Sequence, residues 1–309
     1  MSILVLNTSP FVEQQRAALA ELAPDEQIHT DPIAAPPADV EALLAFKLAP
    51  GIAPRFPALK FVACAGAGVD QLLAHCDVPA QLPVVRAFDP MQGHRMAQYV
   101  SLMVLRFHRE LPRLEALHAE GQWHRFLPID ERKHAVGIMG YGSIGAPIAQ
   151  VLMQLGFPVR VWTRRPRSID GVKAFAGRDG FVPFLAQSAI LVCALPLTPE
   201  TAGLLGAPEF SALPRGAFVI NVSRGAIVRE GELLAAVDSG HLAGAALDVF
   251  EIEPLPTASP LWRHRKILCT PHIAAMPRPD VAAKQFLENL RRARAGLELL
   301  NVVDRNRGY

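Results

Sequence analysis

The segment AVGIMGYGSIGAPIAQVLMQLG, residues 135–156, carries the clearest structural signal in this sequence. A short apolar run leads into a turn with GxGxxG spacing, and apolar residues at helical intervals follow it. A strand that passes through such a turn into a helix is typical of dinucleotide binding, because the glycines permit a tight turn, close approach of a pyrophosphate and close helix packing. The alternative is a turn that only packs tightly. The predicted cofactor contacts here are Gly140, Gly142, Ser143, Ile144 and Gly145.

Composition narrows the class of protein. The 309 residues are enough for two domains, and a formal net charge of +2 gives no field that would attract nucleic acid or a membrane surface. The apolar runs are too short to cross a membrane, and the N-terminal residues do not resemble a signal peptide. No metal site is predicted, and reduced thiols in a cytoplasmic protein are expected, since the cysteines lack CxxC spacing. These cysteines are Cys64, Cys76, Cys193 and Cys269.

Short apolar segments alternate with amphipathic helices along most of the chain. The segments are rich in Val, Ile and Leu rather than alternating with polar residues, which is typical of parallel strands covered by helices on both faces. The pattern therefore predicts an α/β protein with parallel sheets. The predicted strands are ILVL (3–6), KFVAC (60–64), PVVRA (83–87), AVGIM (135–139), PVRVW (158–162), ILVCA (190–194), AFVIN (217–221), AGAALDV (243–249) and KILCT (266–270).

The segment VWTRRPR, residues 161–167, lies where a dinucleotide-binding protein usually places an acidic residue for the adenosine ribose. Thr163 stands there instead, which removes the repulsion that a carboxylate exerts on a 2′-phosphate. Arg164 and Arg165 can supply charge-assisted hydrogen bonds to that phosphate. A solvated basic loop is the alternative, but the position of the run favours a cofactor contact. The sequence thus predicts that NADPH is preferred and that NADH binds with lower affinity.

Three further segments carry residues suited to reduction of a 2-keto acid. That reaction needs a cation for the substrate carboxylate, a group that polarises the carbonyl and a proton donor. Arg224 lies in INVSRGAIV, Glu253 in LDVFEIEPLP and His272 in CTPHIAA, each at or just after a predicted strand end. Ligands bind at the carboxyl ends of strands in open α/β sheets, so we expect the three side chains to meet there.

Several motifs together resemble the D-isomer-specific 2-hydroxyacid dehydrogenase family over nearly the whole chain, and within it the glyoxylate/hydroxypyruvate reductase A branch. They occur in matching order and include the segments quoted above. The others are AGAGVD (65–70), GVKAFAG (171–177), LPLTPET (195–201), SPLW (259–262) and VDRNRGY (303–309).

The resemblance implies a role for each matching position. His272 matches the general acid, Glu253 the carboxylate that hydrogen-bonds it, and Arg224 the cation that binds the substrate carboxylate and carbonyl oxygen. Backbone N–H groups of Ala67 and Gly68 match a loop that holds the carboxylate. The remaining matches are Asp248 beside the nicotinamide and Leu195, Pro196 and Thr198 along the cofactor.

Some of these positions have structural alternatives. Arg224 could form a structural ion pair, and Asp248 could only order a turn. Lys47 stands where the branch is expected to carry a histidine after an aromatic residue; it either contacts a substrate carboxylate or is solvated. Met96 either touches the nicotinamide or belongs to the core of a helix whose apolar stripe runs from residue 96 to residue 111.

The resemblance implies two Rossmann-like domains with the active site in the cleft between them. Residues 1–99, completed by 281–309, are expected to form a smaller flavodoxin-like substrate domain, and residues 100–280 a doubly wound NAD(P)-binding domain. The expected enzyme is a homodimer that uses NADPH to reduce glyoxylate to glycolate and hydroxypyruvate to D-glycerate. Two alternatives remain, a reductase of a larger 2-keto acid and a dinucleotide-sensing protein on the same fold.

Overall fold

The computed structural model describes residues 2–6, 10–74 and 77–305. Cys76 and the last four residues of VDRNRGY therefore lie outside the described part. The chain divides into two compact units, one of residues up to Pro90 together with those from Met276 onward, the other of Met91–Ala275. We call them unit 1 and unit 2. The expected division after residues 99 and 280 lies nine residues beyond the observed first boundary and five residues beyond the second, and the functional assignment of each part stays a prediction.

Unit 1 contains a five-stranded parallel sheet in the order β2-β1-β3-β4-β5. This order and the flanking helices give the flavodoxin-like arrangement expected from the sequence. Its strands are β1 (Ser2–Leu6), β2 (Gln27–His29), β3 (Val40–Ala45), β4 (Phe61–Cys64) and β5 (Val84–Arg86). Its helices are α1 (Pro10–Leu22), α2 (Asp70–Ala74) and α9 (Pro279–Arg294), and α9 packs beside α1.

Unit 2 contains a seven-stranded parallel sheet in the order β12-β11-β10-β9-β6-β7-β8. The strand order reverses between β6 and β9, which is the switch point of a doubly wound Rossmann sheet. Its strands are β6 (Val136–Met139), β7 (Val159–Thr163), β8 (Lys173–Ala176), β9 (Ile190–Cys193), β10 (Ala217–Asn221), β11 (Leu242–Leu247) and β12 (Ile267–Cys269). Its helices are α3 (Gln92–His108), α4 (Leu111–Ala119), α5 (Gly145–Gln154), α6 (Phe181–Leu185), α7 (Ala207–Ala212) and α8 (Glu230–Asp238).

The two parallel sheets confirm the predicted fold class, and the nine predicted strands are all present. Three further strands, β2, β3 and β8, were not predicted. β2 and β8 are short edge strands with partly exposed residues, so they lack an apolar run. β3 is fully buried, yet its sequence VEALLA consists mostly of residues that favour helices. Burial at the centre of the sheet outweighs that preference.

One predicted helix was too long at its C-terminal end. α3 ends at His108 because Glu110 adopts a left-handed backbone with φ of 51°. Leu111 therefore begins α4 and is 38% exposed, instead of continuing the buried stripe. Met96 is buried in the core of unit 2, which agrees with the core alternative for this residue.

Among the described residues, no helix is long and apolar enough to span a membrane. Within the same part of the chain, the cysteines Cys64, Cys193 and Cys269 form no disulfide.

Candidate active site

The glycine turn between β6 and α5 presents unpaired backbone donors. The N–H groups of Gly142, Ser143 and Ile144 donate to no described residue, and no side chain caps α5. A Cβ on Gly145 would lie 2.0 Å from the carbonyl oxygen of Gly140, so the chain's own packing requires glycine there. A Cβ on Gly142 would meet nothing within 4 Å. The turn therefore fits an anion at the positive end of α5, as a cofactor pyrophosphate requires.

The loop after β7 is held by a hydrogen bond between a side chain and a backbone carbonyl of the same loop. Thr163 is buried and its hydroxyl donates to the carbonyl oxygen of Arg165 at 2.8 Å. Arg164 and Arg165 are exposed, and neither forms a hydrogen bond or ion pair with a described residue. Arg167 is different, because its Nη1 donates to the carbonyl oxygen of Tyr141 at 2.7 Å and its guanidinium stacks over that ring. Two cations are thus available at the position predicted for the ribose, while the third joins this loop to the glycine turn.

The loop after β9 runs beside the glycine turn. The Leu195 side chain lies 3.2 Å from the position that a Cβ on Gly140 would take. The Thr201 hydroxyl donates to the carbonyl oxygen of Pro196 and accepts from the backbone N–H of Thr198, which stiffens the loop. The predicted cofactor contacts on this loop therefore lie at the same sheet edge as the glycine turn.

His272 follows β12, Glu253 follows β11, and their side chains form a hydrogen bond. His272 Nδ1 lies 2.8 Å from Glu253 Oε2, and the other carboxylate oxygen accepts the backbone N–H of Phe250 at 3.0 Å. Burial pushes the pKa of Glu253 upward, but the hydrogen bond and charge of His272, with the charge of Arg224, outweigh it and leave the pKa below its usual value. An ionised carboxylate only accepts, so Nδ1 is the donor, and Nε2 has no hydrogen-bond partner among the described residues.

The turn that carries Arg224 lies close to the turn before Glu253 because a glycine follows the arginine. A Cβ on Gly225 would lie 1.8 Å from the carbonyl carbon of Phe250, so only glycine allows the turn after β10 to approach the turn after β11. The Arg224 side chain is half-buried and its Nη1 donates to the carbonyl oxygen of Ser223 at 2.7 Å. Its charge acts on Glu253, which places guanidinium, carboxylate and imidazole in one electrostatic neighbourhood.

Asp248 orders the loop that carries His272. It is 1% exposed and accepts from the Thr270 hydroxyl at 2.6 Å and from the backbone N–H groups of Ile273 and Ala274 at 2.9 Å each. Burial raises the pKa of Asp248, and these donors oppose that effect. The turn-ordering alternative therefore describes this residue, while its contact with a cofactor stays a prediction.

Unit 1 carries the other predicted substrate residues. Ala67 and Gly68 follow β4, and their backbone N–H groups donate to no described residue. Lys47 follows β3, is exposed and forms no described ion pair. Phe46 packs on the same loop, since a Cβ on Gly66 would lie 3.0 Å from its ring. These groups are available to an anion, and their role in substrate binding stays a prediction.

Sequence reasoning missed residues that hold the site together. Glu230 and Glu251 each accept the other's backbone N–H, at 2.7 Å and 3.0 Å, and so join the start of α8 to the loop before Glu253. Burial, together with the neighbouring charges of Glu251 and Glu253, raises the pKa of Glu230. Tyr99 lies within the apolar stripe of α3 and gives no polar signal there, although its hydroxyl lies 2.6 Å from the Thr270 hydroxyl. No local pattern indicates such pairs, because their members are far apart in sequence.

Comparison with known proteins identifies relatives of this chain. Residues 101–274 match the family model described as "D-isomer specific 2-hydroxyacid dehydrogenase, NAD binding domain". Glyoxylate/hydroxypyruvate reductase A of Yersinia enterocolitica is 40% identical over 81% of this chain and 82% of its own length.

Two solved structures are similar over the whole chain. One is a D-isomer-specific 2-hydroxyacid dehydrogenase of Xanthobacter autotrophicus in complex with NADPH and MES, with 42% identity, a TM-score of 0.87 and full coverage of both chains. The other is an NADPH-dependent glyoxylate/hydroxypyruvate reductase of Sinorhizobium meliloti in complex with NADP and sulfate, with 33% identity, a TM-score of 0.91 and full coverage of both.

Proposed function

Because the chain belongs to the D-isomer-specific 2-hydroxyacid dehydrogenase family, and is thus an NAD(P)-dependent oxidoreductase acting on CH–OH groups, we propose that it reduces glyoxylate to glycolate and hydroxypyruvate to D-glycerate. The observation that carries the proposal is the His272–Glu253 pair at 2.8 Å with Arg224 beside it. An acid, its orienting carboxylate and a cation are the groups that this reduction needs.

Each member of the group has a separate task. Arg224 binds the substrate carboxylate and polarises the carbonyl oxygen. His272 Nε2 gives its proton to that oxygen as it gains negative charge, and Glu253 keeps the imidazole oriented through the hydrogen bond to Nδ1. A nicotinamide cofactor held at the glycine turn would supply the hydride to the carbonyl carbon. His272 is 39% exposed on its side chain, so it regains a proton from solvent after each turnover.

We assign NADPH as the preferred cofactor and unit 2 as the cofactor domain. The exposed Arg164 and Arg165, the absence of a carboxylate at Thr163 and the unpaired N–H groups of the glycine turn support this assignment. Unit 1 is assigned as the substrate domain, with the N–H groups of Ala67 and Gly68 as carboxylate donors and Lys47 as a further cation. The relatives that were solved with NADPH or NADP support the cofactor choice.

We further propose that the protein is a homodimer that associates through unit 2. Helix α4 buries none of its residues, and the segment after it exposes Trp123 by 87% and Leu127 by 89%. Apolar side chains exposed together in this way are typical of an interface. Light scattering should give the mass of two chains, and Trp123→Ser should shift the mass toward one chain. Trp262→Ser, at a tryptophan that is 48% exposed elsewhere in unit 2, serves as the control.

The test of function is consumption of NADPH and NADH, followed by absorbance, with glyoxylate, hydroxypyruvate, pyruvate and phenylpyruvate. We expect the highest kcat/KM for one of the first two substrates. A preference for phenylpyruvate would favour a reductase of larger keto acids. Cofactor binding without turnover of any keto acid would favour the sensing protein. His272→Ala should bind NADPH nearly as well as the unchanged protein and lose turnover.

A further inference from the structure

Helix α3 is bonded at two points to the loop that carries His272. Near its start, Gln92 Nε2 donates to the carbonyl oxygen of Ala275 at 3.1 Å. Two turns later, the Tyr99 hydroxyl lies 2.6 Å from Thr270 Oγ1. Residues seven positions apart share a helix face, so both side chains point to the same loop. The helix thus holds the loop on either side of His272.

The chemistry of the groups fixes the direction of the hydrogen bonds. Thr270 has one hydroxyl proton, and Asp248 Oδ1 lies 2.6 Å away. A carboxylate receives backbone N–H bonds from Ile273 and Ala274 as well, so it acts here as an acceptor. Thr270 therefore donates to Asp248, and Tyr99 must donate to Thr270. Burial raises the pKa of Tyr99 to about 12, which keeps the phenol protonated as a donor at neutral pH.

The loop that carries His272 has an unfavourable backbone conformation, which these hydrogen bonds help to hold. His272 has a backbone φ of 55°, in the left-handed region that residues other than glycine rarely adopt. Its backbone N–H donates to the main-chain carbonyl oxygen of Asp248 at 2.8 Å. The side chain of Asp248 holds the next two N–H groups. A displaced carboxylate would therefore release two successive N–H groups, those of Ile273 and Ala274, and the backbone that orients the imidazole would lose this support.

We propose that Tyr99 is a positioning residue for His272, acting through Thr270 and Asp248 to keep the imidazole against Glu253. The inference rests on the proposed function only in taking His272 as the general acid. Tyr99 itself touches neither His272 nor Glu253 by a hydrogen bond within the described residues. Tyr99 fixes the rotation of the Thr270 hydroxyl, and the Thr270 hydroxyl in turn holds the Asp248 carboxylate in place. The carboxylate then stabilises the left-handed backbone at His272.

The test compares Tyr99→Phe, Thr270→Val and the double variant. Ser101→Ala is the matched control, because Ser101 lies on the same helix and its buried hydroxyl has no hydrogen-bond partner among the residues that the structure describes. Hydrogen exchange at the amides of residues 272–274 should be about tenfold faster in Tyr99→Phe and unchanged in the control. With glyoxylate, kcat should fall about tenfold while the KM for NADPH stays within about twofold. The double variant should have the kcat of Thr270→Val, because Tyr99 acts through Thr270.

Conservative replacement supplies a second measurement. Thr270→Ser keeps the hydroxyl and should restore most of the exchange protection and turnover that Thr270→Val loses. The proposal is overturned if Tyr99→Phe leaves exchange at residues 272–274 unchanged, if the two substitutions reduce kcat additively, or if Tyr99→Phe lowers only the melting temperature. An unchanged protein that reduces no keto acid would contradict the proposed function instead, and the exchange comparison would still decide the role of Tyr99.

Discussion

Replacing Arg164 and Arg165 together with alanine should convert a protein that prefers NADPH into one that uses both cofactors about equally. Both side chains are exposed and neither forms a hydrogen bond or ion pair with another described residue, so their removal should leave the fold unchanged. The buried Thr163 still fixes the loop through its hydroxyl. The substitution therefore removes charge at the ribose end of the cofactor without disturbing the glycine turn.

The magnitude follows from the type of interaction. A hydrogen bond to a charged group contributes roughly 1.5–3 kcal/mol, and solvent exposure places these two at the lower end of that range. The loss of both should cost about 3 kcal/mol of NADPH binding, which is about 100-fold in KM. NADH lacks the 2′-phosphate, so its KM should change by less than about threefold. Because the contact is solvent-exposed, the difference should shrink in concentrated salt.

Steady-state kinetics with each cofactor at saturating keto acid measures this discrimination directly. Arg167→Ala provides a control within the same run of arginines. Its guanidinium is bonded to Tyr141 in the glycine turn, so its loss should weaken both cofactors to a similar extent. Equal effects of the Arg164 and Arg165 double substitution on NADPH and NADH would refute the assignment of these cations to the 2′-phosphate.

Three other perturbations test separate parts of the structure. Glu253→Gln should lower kcat by about tenfold to 100-fold with little change in cofactor KM, because an amide oxygen is a weaker acceptor than a carboxylate for the Nδ1–H of His272 and orients the imidazole less firmly. An unchanged kcat would contradict the pairing. Gly145→Ala should lower the melting temperature sharply, since its Cβ would overlap a backbone oxygen. Gly142→Ala should keep the melting temperature and lose cofactor affinity, because its Cβ would meet no other residue within 4 Å. The reverse pattern would contradict the assigned roles. Burial lowers the pKa of His108 below 6.5, so the folded state binds fewer protons than the unfolded state. The free energy of unfolding should therefore fall as the pH drops below about 6.5. Urea titrations at several pH values should show a weaker pH dependence for His108→Gln.

Much of the fold could be read from local patterns. The strand that enters a glycine turn and leaves as a helix was predicted with its residues, because glycine spacing and apolar periodicity are properties of adjacent positions. The nine predicted strands are present for the same reason. β3 was missed because VEALLA has the composition of a helix, and only its burial between neighbouring strands makes it extended.

In the candidate site, too, some residues could be predicted from the sequence and others could not. The residue types His272, Glu253 and Arg224 could be selected from motifs, and the structure brings the imidazole and carboxylate to 2.8 Å. The roles of Arg167 and Tyr99 could not be selected. Arg167 belonged to a run of similar cations, and only the position of its guanidinium on the glycine turn distinguishes it from its neighbours.

The amino-acid sequence alone determined the class of fold, the cofactor turn and the chemical groups available for hydride transfer, since these depend on residue type and short-range spacing. The tertiary structure decided which of those groups form hydrogen bonds within the protein and which have no described partner and can contact a ligand. Asp248 and Thr270 are 22 positions apart, yet they share a hydrogen bond that only the parallel pairing of β11 and β12 makes possible. Contacts of that kind depend on distance in space, for which the sequence contains no local pattern.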